Sequence, residues 1–155
     1  MRPDILNNLF ISITDLPGIG PRNAKLIEKL TGTKIIDLLW LLPREIIDRR
    51  YAPTIAEAVP GKIATISVRI DNHVQPPTKR QPYRVVCSDD SGQITLVFFH
   101  ARPDYLEKLM PVGKTRVVSG RIEHYRNDVQ VTHPDHVVSP DEAFLVRRVE
   151  PVYPL

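Results

Sequence analysis

From Gly61 onward the apolar residues recur at every second position, a period that suits strands burying one face and excludes amphipathic helices. Ala64, Ile66, Val68 and Ile70 alternate with Thr65, Ser67 and Arg69, and Tyr83, Val85 and Cys87 alternate with Arg84, Val86 and Ser88. A third run, Gln93 to His100, sets Ile94, Leu96 and Phe98 on one face and Thr95, Val97 and Phe99 on the other. Asp89-Asp90-Ser91-Gly92 is a turn between the second and third runs, and its paired aspartates are read as turn residues. The loop from Gln75 to Pro82 is too rich in proline for a tight hairpin. After a short helix around Asp104 to Leu109, Thr115 to Ile122 and Val129 to Thr132 predict two further strands, joined by the polar hairpin His124-Tyr125-Arg126-Asn127-Asp128.

Three strands, a helix and two strands is the order of a five-stranded OB-fold Greek-key barrel, an architecture that commonly binds oligonucleotides. Its usual binding surface is the second and third strands with the loops between strands one and two and strands four and five. In this sequence those loops and strands hold Lys79, Arg80 and Arg84 on one side and Arg121, Tyr125 and Arg126 on the other. The same cations also serve as ordinary solubilising charge on barrel loops.

Ahead of the barrel the spacing is helical, so the fold class expected is mainly β with an N-terminal helical part. Ile5, Leu6, Leu9, Phe10 and Ile13 predict a short amphipathic helix over Pro3 to Ile13. Leu16-Pro17-Gly18-Ile19-Gly20-Pro21 then leads into a second helix, with Pro21 suited to its first position. The pattern is similar to a helix-hairpin-helix turn, in which the small Ala24 lets helices approach and Gly18, Gly20 and Arg22 could meet a phosphate. It serves equally as a packing device. Lys34 to Leu42 is apolar on more than one side, which predicts a buried helix with Trp40 in a core. The expected organisation is a helical segment over 1–59, a barrel over 60–140 and a linker over 141–155 toward further domains of a longer protein.

Composition narrows the function classes. With 21 Lys and Arg against 18 Asp and Glu the net charge is +3, which permits a nucleic-acid partner without marking one. One cysteine excludes an internal disulfide, and five histidines show no metal-ligand spacing with it, so no metal site is expected. No apolar run is long enough to cross a bilayer, and the N-terminus lacks a basic segment followed by an apolar one, so a cytoplasmic protein is expected. Gly113-Lys114-Thr115 imitates the end of a phosphate-binding P-loop, but Lys108 stands at the first glycine position and a strand follows. His133-Pro134-Asp135-His136 reads as a strand end and turn. No nucleophile motif or catalytic carboxylate pair stands out, so this chain is expected to catalyse nothing alone and to bind no cofactor.

The residues that best carry a function lie where the third strand ends. Phe99 has the wrong parity for the core, and Tyr105 follows it after a loop holding Arg102 and Pro103. Flat rings beside a cation stack on unpaired bases at about 1–3 kcal/mol each. The alternative is that both rings pack under the neighbouring helix.

Taken together, LPGIGPRNAKLI, DLLWLLPREIIDRR, CSDDSGQITLVFFHARPDYLEKL, VVSGRIEHY, THPDHVV and VEPVYPL resemble the wedge region of the RecG family of ATP-dependent branch-migration helicases, over essentially the whole chain. The resemblance implies a barrel set against the branch point of stalled replication forks and Holliday junctions, acting in recombination and repair. It implies motor domains, outside this sequence, that use ATP and Mg. It also implies that Phe99 stacks on bases where strands part, with Tyr105 as the second ring; Phe98 matches a family aromatic too, but its parity with Ile94 and Leu96 assigns it to the core. Branched DNA is the expected partner of a monomer, with single-strand-binding protein as a further one. Two other readings stay open: a general single-strand binder, and a barrel whose basic face meets acidic proteins.

Overall fold

Pro21 stands at the first position of α1 (Pro21–Leu30), where its missing N–H costs nothing, and extended Gly20 precedes it as the cap. The structure, a computed structural model, describes residues 3–78, 80–126, 128–146 and 148–154. It divides into two units, Met1–Ile46 with Pro151–Leu155, and Ile47–Glu150.

In the first unit the expected helix over Pro3 to Ile13 is replaced by a 3₁₀ stretch, Asp4–Phe10, and a second short one, Ile13–Asp15. Extended Ile11 separates them, because Ser12 bridges to Lys34 and the Ile11 carbonyl accepts the Ile35 N–H at 3.2 Å. α2 spans only Ile35–Leu39, its start fixed by the Asp37 carboxylate accepting the Lys34 N–H at 2.9 Å. Trp40 is 75% exposed rather than in a core. The physical reason is length: Pro43 forces the residue before it out of the helical region, so the helix ends before it can roll an apolar face onto a neighbour. Among the described residues of this unit only Ile13 and Ala24 are buried apolar side chains.

The second unit is built from strands. In chain order the elements are β1 (Glu45–Asp48), β2 (Ile63–Val74), β3 (Tyr83–Ser88), β4 (Gln93–Phe98), α3 (Pro103–Leu109), β5 (Thr115–Arg121), β6 (Glu123–Tyr125), β7 (Asp128–Thr132), β8 (His136–Val138) and β9 (Val149–Val152). β1 pairs with β9, and the division between units falls within both strands. The other seven form one sheet in the order β6-β7-β4-β3-β2-β5-β8. The chain is thus mostly β with some helix.

Alternation sets the register. Ile70 lies opposite Cys87, Cys87 opposite Ile94, and Ala64 opposite Gly120, with β4 and β7 parallel through Leu96 and Val131. Their inward side chains form the core together with Leu106 and Met110 at the end of α3. Gly120 is required by crowding: a Cβ there would lie 2.6 Å from Val131 Cγ1 and 3.2 Å from the Pro134 Cα. His73 ties three elements. Its Nε2–H donates to the Met110 carbonyl at 2.7 Å, which leaves Nδ1 to accept the Tyr83 hydroxyl at 2.9 Å.

The sheet has seven strands where five were expected. One extra is β6, largely read in the sequence as hairpin loop, which pairs with β7 from Glu123 opposite Gln130 to Tyr125 opposite Asp128 and is set off from β5 at Ile122, whose N–H donates to the Lys62 carbonyl while its own carbonyl accepts the Gly61 N–H. The other is β8, read in the sequence as part of a turn, which lies along β5 with Val137 opposite Val118. The turn reading of Asp89 agrees with the structure: its carboxylate accepts the N–H groups of Ser91, Gly92 and Ile55 at 2.7, 3.0 and 2.8 Å. Burial would raise the Asp89 pKa, but these bonds and the Ser91 hydroxyl outweigh it and hold the carboxyl below its usual range.

Among the described residues of this unit Arg49 is the buried cation. Its guanidinium donates to Ser119 Oγ at 3.1 Å, to Asp135 Oδ2 at 2.8 Å and to Glu150 Oε2 at 3.2 Å.

Candidate nucleic-acid interface

Strict alternation fails at the end of β4, where Val97 is buried although it has the parity of Phe99. Ile94 and Leu96 are buried, Phe98 is half-buried against the core, and Phe99 is 47% exposed. β4 ends at Phe98, two residues before the expected His100, so Phe99 projects from the turn that follows and not from the strand. The reason lies in the next residue: His100 has φ 55, which ends extended backbone. The Phe99 N–H donates to His133 Nε2 at 3.2 Å, and the His133 N–H donates to the Val97 carbonyl at 2.9 Å. The His133 imidazole stands edge-on to Phe98, centroids 6.1 Å apart, and tilted against Phe99 at 5.8 Å.

Four residues on, α3 opens with Pro103 at its first position, after exposed Arg102. Tyr105, in the first turn, is 62% exposed, while Leu106 beside it points into the core. A hollow of about 530 Å³ brings Phe99, Arg102 and Tyr105 together over a floor that includes Leu106, His133 and Val137. A second, of about 470 Å³, lies between the proline-rich loop and the same turn, lined by Pro76, Pro77, Tyr83 and Phe98. His100 and Ala101 border both, so the turn after β4 is a ridge between two concavities.

The remaining candidates lie outside the first hollow. Arg84 is exposed on β3, opposite Val97, and Arg80 is exposed in the loop before it. Lys79 lies outside the described residues. Tyr125 is 52% exposed at the end of β6, with the Arg126 guanidinium 5.3 Å from its ring and Arg126 itself at φ 51. Arg121 donates to the Gly61 carbonyl at 2.7 Å, which ties it to the approach to β2. In the other unit Gly18 has φ 85, Gly20 caps α1, and Arg22 is exposed in its first turn.

Gly113-Lys114-Thr115 cannot cradle a phosphate. The Gly113 N–H donates to the Ile70 carbonyl, the Lys114 N–H to the Pro111 carbonyl, and Thr115 begins a strand. Among the described residues no group of His, Cys, Asp and Glu is arranged to hold a metal ion, and no helix is long and apolar enough to cross a membrane. The sequence reading passed over His133. Its signal was a histidine before proline at the end of a strand, and only the parallel pairing of β7 with β4 brings it under Phe99.

Comparison with known proteins supplies the context. Residues 12–155 match the model of the RecG wedge domain. Over 144 residues the chain is 30% identical to the ATP-dependent DNA helicase RecG of Thermotoga maritima, covering 89% of this chain and 18% of that protein. It is 25% identical to the Escherichia coli protein of the same name, covering 93% of this chain and 21% of the relative. A solved structure of RecG bound to a three-way DNA junction superposes with a TM-score of 0.71 at 27% identity, over 95% of this chain and 20% of that one. The chain thus spans about a fifth of the length of these relatives. With the family model matched from Ser12 to the final residue, the chain belongs to the RecG wedge domain family.

Proposed function

We propose that this chain is the wedge of an ATP-dependent DNA helicase and binds the branch point of forked and four-way DNA. The observation that carries this reading is the solvent-exposed Phe99, which shares one hollow with Arg102 and Tyr105 at the end of a core strand. A ring held just beyond the end of a core strand can take the place of a lost base neighbour, and a guanidinium beside it can meet the phosphate. Arg80, Arg84 and the Tyr125–Arg126 pair extend the surface along β3 and the β6–β7 hairpin, and Gly18, Gly20 and Arg22 offer a phosphate contact in the other unit. Lys79 belongs to the same basic loop by sequence. The relatives' name supports ATP-driven unwinding by the longer protein, whose ATP and Mg are held outside this chain.

We read the large sheet as an OB barrel. β2, β3, β4, the broken β5–β6 strand and β7 take the five barrel positions, supported by the antiparallel β2–β5 pair and the parallel β4–β7 pair. The glycine turn before α1 is read as helix-hairpin-helix-like on the strength of the close approach at Ala24, which is 3% exposed.

The test is a titration of a three-way junction, a linear duplex and oligo-dT at one salt concentration. The wild-type chain is expected to prefer the junction, and Phe99→Ala to weaken junction binding about fivefold or more, the equivalent of one stacked base, with little effect on the duplex. Equal affinity for junction and oligo-dT would favour a general single-strand binder. Unchanged junction binding by a folded Phe99→Ala variant would refute the stacking role.

A further inference from the structure

We infer that His133 is a positioning residue that holds Phe99 in the orientation needed to meet a base, an inference that rests on the branch-point reading above. Phe99 lies beyond the end of β4, so the sheet itself does not fix its direction. What fixes it is one side chain. His133 Nε2 accepts the Phe99 N–H at 3.2 Å, and the imidazole packs between Phe98 and Phe99 with centroids 6.1 and 5.8 Å away. The acceptor must be an unprotonated nitrogen, so the proton of the neutral ring sits on Nδ1.

His133 is itself held from two sides. Its N–H donates to the Val97 carbonyl, extending the parallel β4–β7 pairing by one bond. Its backbone, at φ 47, is in the left-handed region that non-glycine residues uncommonly adopt. Two residues on, Asp135 meets the buried Arg49 guanidinium at 2.8 Å, which anchors the segment that carries His133.

The first test reads the bond directly: the Phe99 amide is expected to exchange with D2O about threefold or more slowly in the wild-type chain than in His133→Phe, and equal exchange overturns the inference. The second uses His133→Phe, which keeps a ring but removes the acceptor, and His133→Gln, whose amide oxygen can accept the same N–H. His133→Phe is expected to bind a three-way junction about three- to tenfold more weakly, the effect of one lost hydrogen bond, with linear duplex unchanged. His133→Gln should stay within about twofold of wild type on the same scale, and in a Phe99→Ala background His133→Phe should have no further effect. If Phe99→Ala weakens junction binding and His133→Phe does not, the positioning role is wrong and the branch-point reading stands. If Phe99→Ala changes nothing, the branch-point reading fails and takes this inference with it.

Discussion

Cys87 and Arg49 show how burial sets what a single side chain can do. Cys87 has no exposed surface, and burial first, with the nearby Asp71 charge adding to it, pushes its thiol up to about 12. The native thiol should therefore resist alkylation at pH 8 while the unfolded chain reacts readily, which iodoacetamide labelling with and without denaturant will show. The linkage has a definite sign. A thiol whose pKa is higher folded than unfolded contributes stability at all pH values below the unfolded value near 9, and that contribution is lost as pH rises toward about 12. Arg49 is the opposite case, a charge kept buried by its partners. Asp135 and Glu150 keep 48% and 31% of their side-chain surface, so Arg49→Met leaves carboxylates that water can still reach. Urea denaturation should show a loss of about 2–3 kcal/mol, toward the lower end of the cost of breaking a buried pair.

At the scale of elements, backbone proximity matters more than pattern. Gly120 on β5 sits where β7 and the following turn come closest, so Gly120→Ala should destabilise by about 1–3 kcal/mol, measured by thermal melting, because neither Val131 nor the Pro134 backbone can withdraw freely. Residue periodicity made the inward faces of β2, β3 and β4 legible, along with the turn at Asp89; Phe99 is exposed as expected, but from the turn after β4 and not by strand parity, since Val97 of the same parity is buried. Hidden from the sequence were features that depend on long-range neighbours. The strand break at Ile122 follows from backbone bonds to Gly61 and Lys62, and β8 exists because β5 offers it an edge. Trp40 was misread because the apolar run around it looked like a core helix, when Pro43 leaves too few residues to make one. At the candidate site, parity and spacing singled out Phe99, Arg102 and Tyr105, and the structure places all three along one hollow. His133 was not singled out, since its role depends on a parallel pairing that no local pattern encodes.

Across the whole chain, energies separate holding DNA from opening it. Losing one base-pair step of stacking costs on average about 1.4 kcal/mol, and one or two aromatic stacks return about 1–3 kcal/mol each. On the branch-point reading proposed above, that balance would hold a parted pair without driving repeated unwinding, so the chain alone is expected to bind a labelled junction without releasing a strand. One further consequence follows from Arg49 and Glu150, which meet at 3.2 Å although 101 positions separate them in the chain. The strand-built unit starts and finishes at a single corner, the arrangement that lets a module be grafted into another polypeptide without stretching either. Residues 47–150 expressed alone should give a cooperative melt and dispersed amide spectra. Both connections of such a module leave side by side, so that splicing it into a longer polypeptide takes a single joint.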